Sequence, residues 1–146
     1  MLLQNQTVKH DPENGLYGDC YRACVACLLN LEVDQVPHFY HDGCNSEIGD
    51  KRCREWLKSL GMNNISMYIP ETWVEHCDSW FDDVPYILTG KSPNHENVDH
   101  CVIGRGKCEV MWDVSPHKNG LNGPSVDSQG NKGYWVEFIL GMGVRA

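Results

Sequence analysis

His100-Cys101-Val102-Ile103-Gly104-Arg105-Gly106-Lys107-Cys108-Glu109-Val110-Met111-Trp112-Asp113 is the stretch that decides the fold. Two short runs rich in β-branched and aromatic residues flank Arg105-Gly106-Lys107, which reads as a tight turn, so the segment predicts an antiparallel hairpin. Pairing across a turn centred near Gly106 sets His100 opposite Asp113, close enough for their side chains to hydrogen-bond if they share a face. A strand pair that ends on a histidine and a carboxylate has the makings of a base and its orienting acceptor.

Further strands are read at Ile65–Ile69, Pro85–Thr89 and Tyr134–Leu140, each short and apolar between turn residues. Upstream the period changes. Cys20, Ala23, Cys24, Cys27, Leu28 and Leu31 recur at spacings of three and four, predicting a helix from Cys20 to Leu31 with Asp19 as its N-cap. A second helix is predicted from Asp50 to Leu60, burying Cys53, Trp56, Leu57 and Leu60 and stopped by Gly61. Leu2–Lys9 has weak strand character, Asp11–Gly15 is a turn, and Ser115–Lys132 is a long surface loop. Helices first and an antiparallel sheet after them make the α+β pattern, over residues 1–146 as a single domain.

The chain of 146 residues is 41% hydrophobic and 22% charged, which suits a packed core and excludes a disordered or fibrous chain. Its 12 basic against 20 acidic residues give a net charge of −8, which disfavours nucleic acid and anionic lipid as partners. The opening residues show no secretory leader and no stretch is long and apolar enough for a membrane span, so a soluble, cytoplasmic protein is expected. In that setting the eight cysteines are expected to be reduced, with at least one a reactive thiol.

Cys20 is the candidate nucleophile. At the first turn of a helix the unpaired N–H groups favour a thiolate, and the thiolate is the attacking species. Cys24 and Cys27 share its stripe and read as small core residues. A tetrahedral intermediate also needs oxyanion donors; the Cys20 N–H is one, and Asn14, with Gln6 as backup, is the candidate for the second. His117, in the long loop, and Trp73 and Trp80, flanking Glu75-His76-Cys77-Asp78, are candidates to contact substrate. The acidic run from Asp78 to Asp83 reads as a solvated face. A rival set, His38, His41, Cys44 and Cys53, has the chemistry of four zinc ligands that would staple the loop after the first helix. No cofactor is required by the thiol chemistry.

Gly18-Asp19-Cys20-Tyr21-Arg22-Ala23-Cys24-Val25-Ala26-Cys27-Leu28-Leu29 resembles the nucleophile helix of papain-like cysteine peptidases, especially the bacteriocin-processing branch with its Asp-Cys pair. His100–Arg105 and Trp112-Asp113-Val114-Ser115-Pro116 resemble that branch's His and Asp strands, in the same chain order. With Val36-Pro37-His38-Phe39, Trp56-Leu57, Gly61, Ser92-Pro93 and His117, the combination is similar to small papain-like proteins of phage genomes, matched in scattered blocks. The resemblance implies a helical lobe packed on an antiparallel sheet with the active site between them. It also implies Cys20 as nucleophile, His100 as base and then acid, Asp113 as orienting carboxylate, and a host cytoplasm if the chain is phage-encoded. Where papain-like enzymes place a Gln for the oxyanion hole this chain offers Asn14, and the branch's fused transporter does not appear in the sequence.

Two classes of function follow. One is a peptidase, isopeptidase or amidase that forms a thioester at Cys20 on a peptide, protein or small acyl substrate. The other is the same scaffold kept as a binding module, or a zinc-stapled interaction protein, without turnover. Neither oligomeric state nor substrate identity is encoded in these motifs.

Overall fold

The computed structural model describes residues 1–77, 81 and 83–143. It is an α+β arrangement in which two helices, α1 (Cys20–Leu29) and α2 (Ser46–Ser59), precede an antiparallel sheet. The strands are β1 (Met62–Pro70), β2 (Tyr86–Lys91), β3 (Asp99–Arg105), β4 (Glu109–Trp112), β5 (Ser125–Val126) and β6 (Lys132–Gly141). They run in the order β1-β6-β2-β3-β4, with β5 paired to β6. Among the described residues no helix is long and apolar enough to cross a membrane.

The central strands are covered on both faces, which is why Tyr86-Ile87-Leu88 reads as an unbroken apolar run. Ile87 pairs with Ile103 in register, and both join the cluster around α1. Their neighbours Leu88 and Val102 pair on the other face and pack with Val136, Tyr86 and Phe81. Burying each such aliphatic side chain contributes roughly 1.5–3 kcal/mol.

Helix α1 is buried nearly all round rather than along one stripe: Tyr21, Ala23, Cys24, Val25, Ala26 and Cys27 are all inside. Its small side chains let the helix backbone lie close against β3. It ends two residues earlier than the spacing predicts, because Asn30 takes the left-handed conformation at φ 58°. Helix α2 starts four residues earlier than predicted, where the Asn45 side chain accepts a bond from the Ile48 N–H at 3.0 Å. Leu60, expected on its buried side, is exposed as the helix C-cap.

The hairpin forms, but not in the expected register. Arg105 pairs with Glu109 and Gly104 with Val110, then a bulge carries Ile103 to Trp112. The turn is wider than Arg105-Gly106-Lys107: Gly106 and Cys108 both stand at φ 54°, and Tyr86 Oη donates to Gly106 O at 2.8 Å and accepts from Cys108 N at 3.0 Å. His100 and Asp113 are therefore not ladder partners. The Ser115–Lys132 loop also carries the short strand β5, which the sequence did not suggest.

The opening segment forms no strand. It lies extended across α1 and the end of β4, held by Leu2 N to Cys27 O at 3.2 Å, Gln6 N to Val114 O at 2.8 Å and Trp112 Nε1 to Gln4 O at 2.9 Å. Gln4 adds side-chain bonds to Leu31 O and from Val33 N. Pro12–Asn14 is a single turn of 3-10 helix closed by Gly15 at φ 72°.

Candidate active site

Cys20 is the first residue of α1, preceded by Gly18 and Asp19. Asp19 occupies the cap position but its side chain does not cap the helix. The buried carboxylate instead accepts from Thr7 N at 2.9 Å, Thr7 Oγ1 at 2.7 Å and Val8 N at 2.8 Å, and meets Arg22 at 3.4 Å. It thereby ties the opening segment to the base of the helix and sets Gln6, Thr7 and Val8 beside Cys20.

His100 and Asp113 meet although their strands are out of register. His100 Nε2 stands 2.8 Å from Asp113 Oδ1, with both side chains almost wholly buried. The carboxylate is held rigidly: its Oδ1 also accepts from Ser115 N at 2.8 Å, and Oδ2 accepts from Gly120 N at 2.7 Å. Burial disfavours charge on Asp113, yet His100 and these two amides together keep its carboxyl below the usual range. With Nε2 on Asp113, Nδ1 of the ring is left for the Cys20 thiol, which hydrogen-bonds to His100.

The electrostatics of the three groups are mutual. Burial works against a charged His100, but Asp113 and then Cys20 outweigh it and raise the imidazole from 6.5 to about 9. A hydrogen bond from Cys101 holds the Cys20 thiol well below its ordinary range, against burial, and the bond and charge of His100 push the same way. Burial instead pushes Cys24 well up, one turn along the same helix. The bonds to Cys101 and His100, not residue type, separate the two thiols.

The Cys20 thiol opens into a cleft of about 1220 Å³. Its floor is the part of the α1-facing side of the sheet that the helix does not cover, with Cys101, Thr89, Trp135, Glu137 and Ser66. One wall is the opening segment from Gln6 to His10; Ser115, Pro116 and His117 line it as well. His117 thus lies at the cleft, where the loop reading put it. Gln6 lines it too, its Nε2 donating to Val8 O at 2.9 Å and keeping a second N–H.

Other sequence candidates fall elsewhere. Asn14 does not line the cleft; its amide donates to Asp11 Oδ2 at 2.7 Å on an exposed turn. A three-residue spacing satisfies that short side chain locally before it can reach Cys20. Trp73 is about half exposed and lines a separate shallow hollow with Met67, Tyr68, Ile69 and Pro70. Trp80 and part of the acidic run lie outside the described residues. The four zinc candidates do not converge. His38 Nε2 bonds Tyr17 O, Cys44 bonds Phe39 O, His41 is exposed, and Cys53 is buried under Tyr21. Among the described residues no group of three His, Cys, Asp or Glu is placed to hold a metal. None of the eight cysteines, all among the described residues, is in a disulfide.

Two cleft residues escape the motif reading. Cys101 follows His100 and its thiol bonds Thr89 Oγ1 at 3.3 Å and Cys20. Glu137 is buried in the floor, accepting from Tyr21 Oη at 2.6 Å and Ser66 Oγ at 3.0 Å, and burial raises its carboxyl above the usual range. An acid inside the apolar run Tyr134–Leu140 is the one signal that could have pointed to it.

No family model, curated protein or solved structure matches the chain.

Proposed function

We propose that the chain is a cysteine-dependent acyl-transfer enzyme of papain-like type, a peptidase, isopeptidase or amidase that works through a thioester on Cys20. The observation that carries this reading is the His100 ring, which bridges the Cys20 thiol and the buried, doubly amide-bonded Asp113.

In this mechanism the Cys20 thiolate attacks the carbonyl carbon of an amide or thioester bound in the cleft, and the carbonyl oxygen becomes an oxyanion. The Cys20 N–H and the free proton of Gln6 Nε2 are the donors best placed to hold it, a term usually worth about 3–4 kcal/mol per donor. The oxyanion collapses, the C–N bond of an amide or the C–S bond of a thioester breaks, and protonated His100 delivers its Nδ1 proton to the departing amine or thiolate. Neutral His100 then takes a proton from water or an acceptor amine, which attacks the acyl–Cys20 thioester and frees the thiol. Asp113 keeps the ring oriented and favours its cationic form throughout. Such chemistry belongs in a reducing compartment, and a cytoplasmic site of action is part of the proposal.

Substitution tests the reading. Cys20→Ala keeps the fold, loses labelling by a thiol-directed electrophile at pH 6, and abolishes turnover of fluorogenic amide and thioester substrates. Equal labelling of wild type and variant at that pH, or turnover that survives the substitution, overturns it.

A further inference from the structure

The cleft holds a second thiol that the acyl-transfer scheme does not use. Cys101 and Cys20 both line the cleft, one from β3 and the other from α1, and their thiols hydrogen-bond to each other. Thr89, the cross-strand partner of Cys101, touches its sulfur at 3.3 Å and fixes it at the floor. Cys20 and Cys101 sit against one core cluster on packed elements, α1 and β3, which places their sulfurs to bond at ~2.05 Å.

We propose that Cys20 and Cys101 form a reversible disulfide, so that peroxide switches the cleft off and a dithiol restores it. Hydrogen peroxide is the oxidant. The Cys20 thiolate attacks one peroxide oxygen, the O–O bond breaks, and after protonation the products are Cys20 sulfenic acid and water. The Cys101 sulfur then attacks the Cys20 sulfur as its proton leaves; the S–O bond breaks and the departing hydroxide takes up a proton as a second water. Two thiols have lost two electrons, and one peroxide has become two waters.

Geometry selects the partner. Cys24 is also near Cys20, but it is wholly enclosed in the core. Cys101 is partly exposed to the cleft through which peroxide arrives. Resolution by Cys101 removes the sulfenic acid before further oxygen can be added, so the switch also protects the nucleophile from irreversible oxidation. The inference concerns the same Cys20 thiol as the proposed function, but it does not require turnover.

Reduced protein is treated with hydrogen peroxide, its remaining thiols are blocked with N-ethylmaleimide, and intact mass and non-reduced peptide maps are read. The expected product lacks two label equivalents, contains a peptide linking Cys20 to Cys101, and regains Cys20 labelling after dithiothreitol. In Cys101→Ser the same treatment drives Cys20 to sulfinic and sulfonic acid that dithiothreitol does not rescue, while Cys24→Ser behaves as wild type. Sulfenic acid on wild-type Cys20 with no linked peptide, or a link to Cys24, overturns the inference without recourse to any variant. A disulfide in a protein without turnover would sink the proposed function alone; turnover without the disulfide would sink only this inference.

Discussion

Replacing Asp113 with Asn removes one buried negative charge from behind His100 and changes little in shape. In the wild type His100 is raised from 6.5 to about 9, a difference equivalent to about 3 kcal/mol of preference for the imidazolium at 1.36 kcal/mol per pH unit. Burial opposes that preference, so Asp113 and Cys20 supply all of it, the Asp113 hydrogen bond being the largest single contribution. Without the carboxylate the ring keeps its burial and loses its strongest hydrogen-bond partner along with a negative charge, so His100 should titrate lower by roughly one to two pH units. An amide also cannot accept from His100, Ser115 and Gly120 at once, since one of its two ends is a donor. Global stability is a poor reporter here. The His100 contribution is full below its unfolded value near 6.5 and vanishes as pH climbs through about 9, whereas the depressed Cys20 thiol contributes in the opposite sense as pH rises. The assay must be local: the ring proton shifts of His100 by NMR from pH 5 to 10, beside the rate of Cys20 alkylation at pH 6. In Asp113→Asn the titration should move down and alkylation should slow about tenfold or more. A ring that still titrates near 9 in the variant refutes the charge argument.

Turnover in the wild type should fall as pH rises through about 9, where His100 loses the proton it gives to the leaving amine; a rate that stays flat to pH 10 would contradict that role. Gln6→Ala should lower turnover about 10²–10³-fold while Cys20 alkylation stays at its wild-type rate, as measured side by side. Asp19→Ala strands the N–H groups of Thr7 and Val8 and a half-paired Arg22, and urea unfolding should show a loss of about 2–4 kcal/mol. For Glu137, burial raises the folded carboxyl, so stability is lost as pH rises through its unfolded range toward that raised value. Glu137→Gln should therefore be more stable than wild type at pH 8 and no more stable at pH 4, by thermal or urea melts at both pH values.

Local pattern was enough to place Cys20 at a helix start and to mark five of the strands, because spacing and β-branched content act over a few residues. Pairing His100 with Asp113 was right in contact and wrong in register. The turn width depends on Tyr86, a residue from another strand whose hydroxyl bonds the turn at Gly106 and Cys108, and no reading confined to the hairpin could include it. The oxyanion candidates divide for a similar reason. Asn14 is captured by Asp11, three residues away, whereas Gln6 reaches the cleft only because Asp19 and Val114 hold its segment across α1. His38, Cys44 and Cys53 have the composition of a zinc site, but Cys53 sits on the face of α2 that packs inward beneath Tyr21.

Asp19 has one more bearing on the chemistry. A carboxylate immediately before a nucleophilic sulfur would repel the anion that must form there, and if it capped the helix it would also occupy the amides that can steady that anion. Turned toward Thr7, Val8 and Arg22, it has its charge taken up by their N–H, hydroxyl and guanidinium groups and leaves the first amides of α1 uncapped. The same acid thus builds a wall of the pocket and vacates the positive end of the helix, so a change that frees Asp19 from its tethers would poison the thiolate as well as loosen the wall.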